Sequence, residues 1–373
     1  MMTLRQVEVI RAVMVTGTIG GAAKLLNVSA PGISRLVKHT ERSLGIRLFQ
    51  RRNGRYFPTP EAANIFAQIN GVYDKVDDLS GIISKIGCGY AASERLLTGL
   101  IGAPIAHSAS PAMHERAAKA LGLRGHYQLI EVAGADAAGL RMMLEGVRRL
   151  GFAGVNVTYP YKEAVVPLLD ELAPGAAGMG AVNTVVVKDG RLTGHNTDTT
   201  GFARAVAPLL APAGNAVAVI GAGGVGKAIA FALASLKVSD IRIFDSEPAR
   251  AAALVSLLAP RGGARIAASV EDALHGATGL VNGTPVGMLP DRGVPVAATL
   301  LHEALWVADA VYSPLITPLL AAAQARGARI MTGRELAIYQ AADAFELFTG
   351  LAPSTEIMGE AFDEVMAARS SAY

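Results

Sequence analysis

The stretch that decides the fold begins with Ala216-Val-Ala-Val-Ile220, an apolar run that continues directly into a glycine-rich segment. That segment consists of Gly221, Ala222, Gly223, Gly224, Val225 and Gly226. The pattern predicts a short buried strand, a tight turn and a helix that begins near Lys227. Such a turn lets a pyrophosphate approach backbone N–H groups at the positive end of a helix. We therefore predict that these six residues bind a dinucleotide, although the same glycines would also suit an ordinary tight turn.

A carboxylate ends the next predicted strand. Ile241-Arg-Ile-Phe244 is followed by Asp245, which lies 19 residues beyond Gly226. An acid at this place accepts hydrogen bonds from the ribose hydroxyls of NAD and repels the 2′-phosphate of NADP. The strand, the glycine-rich turn, the helix and the acid together predict a Rossmann domain in which NAD is the favoured cofactor and NADP is possible.

The composition is that of a globular protein. Of the 373 residues, 51% are hydrophobic and 17% are charged, which excludes a disordered protein, and the length suits two or three domains. The most apolar stretch, residues 216–236, is interrupted by Lys227 and the glycines, so we predict no membrane span. The N-terminus carries charges where a signal peptide needs an apolar core, and no Cys/His cluster has zinc-site spacing. We expect a cytoplasmic protein without a metal or a membrane partner.

Polar side chains upstream of the glycine-rich turn predict a substrate platform. Ser108 and Ser110 stand where a predicted strand gives way to a helix, a place that binds small anions such as carboxylates, although serines there also serve as ordinary helix caps. Lys162 follows a predicted strand end, where open α/β sheets carry their site residues, although most isolated lysines are solvated. Two further segments place an amide and a carboxylate among small residues, Gly180-Ala-Val-Asn183-Thr and Asn196-Thr-Asp198-Thr-Thr-Gly201.

Six motifs, in order, make residues 97–366 resemble the shikimate/quinate dehydrogenase family. They are Ser-x-Ser-Pro from Ser108, Asn-Val-Thr-x-Pro-Tyr-Lys ending at Lys162, Gly-Ala-Val-Asn-Thr around Asn183, Asn-Thr-Asp-x-x-Gly around Asp198, Gly-Ala-Gly-Gly from Gly221, and Tyr312-Ser-Pro … Thr317-Pro-Leu-Leu with Gln340-Ala-Ala. The resemblance implies a substrate-binding α/β domain over residues 95–200 and a Rossmann NAD(P)-binding domain over 201–333. It also implies C-terminal helices over 334–373 that return to the substrate domain.

The same resemblance implies a substrate and roles for individual residues. The substrate would be shikimate, quinate or one of their 3-dehydro forms. Its carboxylate would be held by Ser108 and Ser110, with Tyr312 nearby. Its ring hydroxyls would be contacted by Thr158, Asn183, Asp198 and Gln340. Lys162 and Asp198 would form the catalytic pair, and the chemistry fits, since hydride transfer from a carbinol carbon also requires an acceptor for the hydroxyl proton.

The N-terminal part of the chain is basic. Residues 1–87 carry 12 Lys and Arg against 6 Asp and Glu, whereas acidic residues are in slight excess in the rest. A basic head predicts contact with a polyanion, although a solvated basic face has the same composition. Apolar spacing predicts helices over residues 4–16 and 19–26, and a third helix that is capped by Ser29 and runs to about Leu44.

The third helix and the hairpin after it predict a DNA-binding surface. The predicted contacts are Ser29 at the start of the helix and Ser34, Arg35 and Lys38 in its N-terminal half, where side chains reach the bases and phosphates of a major groove. Two short strands around Asn53-Gly54 would form a wing. The wing would place three basic side chains on the phosphate backbone, those of Arg51, Arg52 and Arg55.

The run Gly20-Gly-Ala-Ala-Lys-Leu-Leu-Asn-Val-Ser29, with Leu48-Phe49 and Pro58-Thr-Pro60, resembles the LysR-type winged helix-turn-helix. The resemblance implies a domain over residues 1–60 that binds double-stranded DNA. Beyond it, apolar residues alternate in steps of four and three, namely Ile65, Ile69, Val72, Val76, Leu79, Ile83 and Ile86. Since LysR-type proteins dimerise through a helix in this place, we predict a linker and homodimerisation helix over residues 61–87. The alternative is an amphipathic helix that packs on its own domain.

The fusion leaves two functions open. One is a working dehydrogenase with a DNA-binding head, which would also act as a transcription regulator. The other is a non-catalytic regulator that uses the dehydrogenase fold to sense shikimate, quinate or NAD. We favour the first, because Lys162 and Asp198 both stand in their motifs.

Overall fold

The computed structural model describes residues 4–26, 28–52, 55–62, 95–212 and 214–370. The chain divides into two compact units, residues 1–93 and 94–373. The predicted dimerisation helix over residues 61–87 lies outside the described residues from residue 63 onward.

The first unit contains three helices and a hairpin. The elements are α1 (Leu4–Thr16), α2 (Ile19–Leu25), α3 (Ala30–Leu44), β1 (Phe49–Arg52) and β2 (Arg55–Pro58). Their apolar faces meet in one core around Ile10, Ile33 and Leu48. Glu41 joins the third helix to the hairpin, because its carboxylate accepts hydrogen bonds from the backbone N–H groups of Leu48 and Phe49, at 2.8 and 3.2 Å. The predicted winged helix-turn-helix is confirmed.

The two predicted helix caps of this unit have different outcomes. Thr18 caps α2, since its hydroxyl accepts a hydrogen bond from the Gly21 N–H at 3.0 Å. Ser29 occupies the predicted N-cap position of α3, but its side chain makes no cap hydrogen bond. Pro31 offers no N–H, and the Gly32 N–H already donates to the Ser29 backbone carbonyl at 3.0 Å.

One sheet of the second unit is parallel throughout, with the strand order β11-β10-β9-β12-β13-β14. Its strands are β9 (Ala216–Ile220), β10 (Asp240–Phe244), β11 (Ala264–Ile266), β12 (Gly279–Asn282), β13 (Trp306–Asp309) and β14 (Arg329–Met331). The sequence of this sheet is strongly apolar because both of its faces pack into hydrophobic clusters. The strand order is that of a doubly wound nucleotide-binding domain, and the predicted Rossmann fold is confirmed.

The other sheet is mixed, with the order β4-β3-β5-β7-β8-β6. Its strands are β3 (Arg95–Gly102), β4 (Arg124–Glu131), β5 (Gly154–Val157), β6 (Glu171–Leu172), β7 (Thr184–Lys188) and β8 (Arg191–His195). Strands β3, β4 and β5 run parallel, whereas β7 is antiparallel to both β5 and β8. The parallel strands end at the segments that carry Ser108 and Lys162.

Helices connect and cover the two sheets. They are α4 (Ser110–Ala120), α5 (Ala137–Arg149), α6 (Pro174–Ala177), α7 (Thr197–Val206), α8 (Gly224–Ser235), α9 (Pro248–Leu258), α10 (Val270–Leu274), α11 (Pro318–Ala325), α12 (Gly333–Thr349) and α13 (Thr355–Ser370). The last two pack with α4 in a cluster that includes Met113, Phe345 and Phe362. None of the helices within the described ranges is long and apolar enough to cross a membrane.

Candidate active site

The glycine-rich turn lies between β9 and α8. Gly221 has a φ of +98°, and a Cβ at Gly226 would lie 1.9 Å from the Gly221 carbonyl oxygen, so neither position tolerates a side chain. The helix begins at Gly224 rather than near Lys227 as predicted, because the Lys227 N–H already bonds to the Gly223 carbonyl at 2.8 Å in its first turn. No side chain caps this helix, and a Cβ at Gly223 would meet nothing within 4 Å. The backbone at the helix start is therefore open to a phosphate group.

Asp245 is fixed beside this turn. One carboxylate oxygen accepts a hydrogen bond from the Ala222 N–H at 2.7 Å, and the other accepts one from the Glu247 N–H at 2.8 Å. The acid therefore lies next to the glycine-rich turn, where the ribose of a bound dinucleotide would be found.

Lys162 and Asp198 form a sequestered ion pair. The Lys162 Nζ lies 2.6 Å from Asp198 Oδ2, and the two side chains are only 14% and 11% exposed. Asn183 donates a hydrogen bond from Nδ2 to the other Asp198 oxygen at 2.9 Å and accepts one from the Thr197 N–H at 2.7 Å. Three predicted site residues from three different segments thus meet at one place.

The pair also adjoins the glycine-rich turn. A Cβ built on Gly224 would lie 3.6 Å from the Lys162 side chain. The next residue, Glu163, forms an ion pair with Lys227 of α8 at 2.5 Å. The Lys162–Asp198 pair therefore lies against the first turn of the predicted nucleotide helix.

The predicted carboxylate-binding serines lie at the start of α4. Ser110 is the first residue of that helix, and its N–H donates to the Ser108 hydroxyl oxygen at 3.2 Å. Ser108 accepts this bond, so its own proton remains free to donate to an anion. Thr158 packs beside the end of β3, because a Cβ at Gly102 would lie 2.3 Å from its methyl group.

Gln340 and Tyr312 are held by C-terminal elements. The backbone of Gln340 packs on α7, since a Cβ at Gly201 would lie 2.6 Å from the Gln340 nitrogen. The side chain of Gln340 donates to the Ala337 carbonyl at 3.0 Å. The Tyr312 ring meets the Phe362 ring in an edge contact, with 5.6 Å between the ring centroids. Burial raises the pKa of the Tyr312 hydroxyl.

In the first unit, the predicted DNA-contacting residues at the start and in the first half of α3 are exposed to different degrees. Ser29, Arg35 and Lys38 are exposed, and Ser34 is partly buried. The predicted wing residues are Arg51, Arg52 and Arg55, and their side chains lie outside the described part of the structure. Their strands pair in an antiparallel hairpin, with Arg52 opposite Arg55.

Sequence reasoning missed a buried polar network that adjoins the Lys162–Asp198 pair. Asn156 donates from Nδ2 to the Asn183 carbonyl at 3.2 Å and to the Thr184 hydroxyl at 3.0 Å, and Tyr127 donates to Asn156 Oδ1 at 2.8 Å. Asn156 and Thr184 stand inside motifs of the predicted site. Tyr127 stands in no motif, and an ordinary strand tyrosine gives no signal in the sequence.

A second missed group lies at the end of β12 and β13. Asp309 accepts hydrogen bonds from Asn282 at 2.9 Å, from the Val311 N–H at 2.9 Å and from Thr317 at 2.7 Å. Burial nevertheless raises the pKa of Asp309 to about 6.

Across the described ranges, no group of three or more His, Cys, Asp or Glu side chains is arranged to hold a metal ion.

Comparisons with known families match both units. Residues 4–63 match the family of bacterial regulatory helix-turn-helix proteins of the lysR type. Residues 100–185 match the shikimate dehydrogenase substrate-binding domain. The fold and the family matches thus define a two-domain, nucleotide-binding dehydrogenase that follows a winged helix-turn-helix along the chain.

Individual relatives extend the match beyond residues 100–185. The shikimate dehydrogenase (NADP(+)) of Streptomyces avermitilis is 47% identical over 269 residues, which are 69% of this chain and 92% of that protein. The quinate/shikimate dehydrogenase (NAD(+)) of Corynebacterium efficiens is 45% identical over 278 residues, 72% of this chain and 98% of that protein. The structure of the quinate dehydrogenase of Corynebacterium glutamicum in complex with NAD is 42% identical in sequence and superposes with a TM-score of 0.67. The superposition covers 72% of this chain and 99% of the Corynebacterium chain. The chain belongs to the shikimate/quinate dehydrogenase family.

Proposed function

We propose that this chain catalyses the reversible NAD-linked oxidation of a ring hydroxyl of shikimate or quinate. The observation that carries the proposal is the sequestered Lys162–Asp198 pair, which lies against the first turn of the glycine-rich helix. The open helix start and the fixed Asp245 carboxylate fit a dinucleotide. When bound, this group would supply the hydride acceptor.

The residues of the chain would then bind, orient and handle the proton. Ser108 and Ser110 would donate to the ring carboxylate, with Tyr312 nearby. The hydroxyls would be oriented by Thr158, Asn183, Asp198 and Gln340. After the Lys162 amine has released a proton to solvent, it would accept the hydroxyl proton during oxidation, with Asp198 holding the ammonium that forms. During reduction of the 3-dehydro form, the ammonium would return that proton to the ring oxygen. Asn183 keeps the Asp198 carboxylate in place through the 2.9 Å bond.

The retained Lys162–Asp198 pair also favours this proposal over a non-catalytic sensor. A binding site needs hydroxyls and amides, whereas a lysine that is ion-paired at 2.6 Å and only 14% exposed suits proton transfer. Purified full-length protein should reduce NAD in the presence of shikimate or quinate, as followed by NADH absorbance. Binding of a ring acid without turnover would favour the sensor.

The first prediction concerns the choice of nucleotide. Wild type should have a higher kcat/KM for NAD than for NADP, because the Asp245 carboxylate beside the turn repels a 2′-phosphate. Asp245→Ala should narrow this ratio by about tenfold, which corresponds to ~1.4 kcal/mol. Asp240→Ala is the matched control, since Asp240 lies at the other end of β10 and pairs with Arg242. A native preference for NADP would show that the role of Asp245 is wrong.

We further propose that the first unit binds double-stranded DNA and that the protein regulates transcription. The support is the lysR-type helix-turn-helix and the exposed Arg35 and Lys38 on α3. Contact with chromosomal DNA requires a cytoplasmic location, which we include in the proposal. If a ring acid binds the DNA-bound protein with a different affinity from the free protein, the ring acid must change the affinity for DNA by the same factor.

The second prediction concerns the homodimer that residues 61–87 are proposed to form. Val76→Glu and Leu79→Glu should break it, because charges on an a/d seam cannot be buried. We expect monomers in light scattering and a sharp loss of DNA affinity, since two recognition helices would no longer bind together. Dehydrogenase activity should stay near wild type, because Lys162, Asp198 and Asn183 meet within one chain. Dimers that persist in both variants would contradict the predicted seam.

A further inference from the structure

The loop that follows β12, residues 283–288, lies directly against the glycine-rich turn. We call it the β12 loop. A Cβ at Gly221 would lie 2.6 Å from the methyl group of Thr284, and a Cβ at Gly283 would lie 2.9 Å from the Cα of Gly226. The β12 loop therefore packs on both ends of the turn that is proposed to bind the pyrophosphate.

The strand order places the β12 loop beside the reacting half of a dinucleotide. Strand β9 has β10 on one side and β12 on the other. Open α/β sheets bind dinucleotides across such a switch point, outside the carboxyl ends of the strands. Asp245 follows β10, so the ribose that it would bind lies on that side. The half that accepts the hydride would then pass along the ends of β12 and β13.

The side chain of Asn282, the last residue of β12, fixes the start of this loop. The Thr284 N–H can only donate, so the side-chain oxygen of Asn282 must face it, at 3.0 Å. The same oxygen accepts from the Thr284 hydroxyl at 2.7 Å. The amide nitrogen then donates to the Val286 carbonyl at 3.2 Å and to Asp309 at 2.9 Å. Asn282 thus ties two residues of the β12 loop to β13.

Asp309 anchors this amide and is itself fixed on two further sides. The residue ends β13 and is only 1% exposed. The oxygen that faces Asn282 also accepts from the Val311 N–H at 2.9 Å. The other oxygen accepts at 2.7 Å from the hydroxyl of Thr317, which caps α11 through the Leu320 N–H at 3.2 Å. All three neighbours donate, which suits a carboxylate, since it accepts without having a proton to place.

We propose that Asp309 is a positioning residue that holds the β12 loop in place before the dinucleotide binds. The link is continuous, because Asp309 holds Asn282 and Asn282 holds Thr284. A loop that is already ordered strengthens binding, since the ligand need not order it. At 1% exposure, Asp309 would act through this link rather than on the nucleotide itself. The inference rests on the proposed function, in which the glycine-rich turn binds NAD.

Asp309→Ala tests this inference through the affinity for NADH, which requires no turnover. The bound nucleotide would have to order the β12 loop, so the Kd for NADH should rise about tenfold, the change that one lost hydrogen bond to a charged group gives. A titration of NADH fluorescence measures this Kd.

Asp309→Asn should restore the Kd to within about twofold of wild type, because the amide keeps an acceptor oxygen for Asn282. An Asn variant that binds NADH as weakly as the Ala variant would contradict the inference.

Asp170→Ala is the matched control. Asp170 accepts a hydrogen bond from the Leu192 N–H at 2.7 Å and pairs with Arg148 at 3.1 Å, beside the edge strand β6 of the other sheet. Both Ala variants should lose thermal stability, because each leaves a backbone N–H without this acceptor. Only Asp309→Ala should raise the Kd for NADH, and equal Kd values in the two variants would overturn the inference.

Thr284→Val tests the same link with the buried carboxylate left in place, so it serves also if Asp309→Ala does not fold. It removes the hydroxyl that donates to Asn282 and keeps a methyl group against Gly221. We expect the Kd for NADH to rise about fivefold, the change that one lost hydrogen bond between neutral groups gives. An unchanged Kd would refute the inference.

The double variant shows whether both residues act through one loop. In the Asp309→Ala background, Thr284→Val should raise the Kd little further, and fully additive effects would overturn the inference. A wild type that binds NADH but turns over neither ring acid would refute the proposed activity and leave this inference standing. A wild type that does not bind NADH would refute both.

Discussion

Lys162→Ala is expected to lower kcat by about 10²–10⁴-fold, the usual contribution of a positioned proton-transfer group. The Kd for NAD should stay nearly unchanged, because the glycine-rich turn and Asp245 do not depend on the lysine ammonium. Asp198 keeps its hydrogen bond from Asn183 at 2.9 Å, so the carboxylate is not left without a partner. Steady-state kinetics with shikimate and quinate, together with a fluorescence titration of NAD, measure both quantities.

A matched control is available in the same domain. Lys188 at the end of β7 is exposed, and Lys188→Ala should leave kcat unchanged. An unchanged kcat in Lys162→Ala would eliminate the proposed proton transfer. A large loss of NAD affinity in that variant would instead assign Lys162 to cofactor binding.

The second large effect is expected in DNA binding. Arg35→Ala should weaken binding to a promoter fragment by about 10–100-fold, which corresponds to ~1–3 kcal/mol for a lost base or phosphate contact. The wild-type affinity should fall steeply with salt, because the basic side chains of the head release counterions from the phosphates. Fluorescence anisotropy with labelled duplex measures both effects.

The control for this prediction is an arginine of the second unit. Arg149 is 76% exposed and pairs with Glu145, and Arg149→Ala should bind DNA as wild type does. DNA titrations with and without ring acid and NAD then test whether these ligands change DNA affinity. Identical binding curves would indicate an enzyme that is tethered to DNA without sensing the ligands. No binding at any salt concentration would refute the DNA-binding role of the head.

Local signals were enough to predict the glycine-rich turn and its strand. The strand Ala216–Ile220 has the predicted bounds, because the apolar run ends where the glycine-rich segment begins. The helix start was placed three residues late, since the glycines themselves form the first turn. Glycine has low helix propensity, and tertiary contacts outweigh that preference here.

Pairing between distant segments was harder to predict. Lys162 and Asp198 were placed together only through a family resemblance, because 36 residues separate them and no local pattern indicates their 2.6 Å contact. Tyr127 and Asn156 bond to one another from β4 and β5, the two strands that flank β3, and periodicity does not reveal this contact. The Glu163–Lys227 ion pair joins two domains and also has no local signal.

The most direct test of the account is a NAD-reduction assay on the purified full-length chain. We predict that NADH absorbance rises when NAD is supplied with shikimate or quinate, and that it falls when the 3-dehydro form is supplied with NADH. The rate should exceed that with NADP, because Asp245 adjoins the glycine-rich turn. No turnover of either ring acid with either nucleotide, in a protein that still binds the ring acid, would contradict the claim that the chain is a working dehydrogenase.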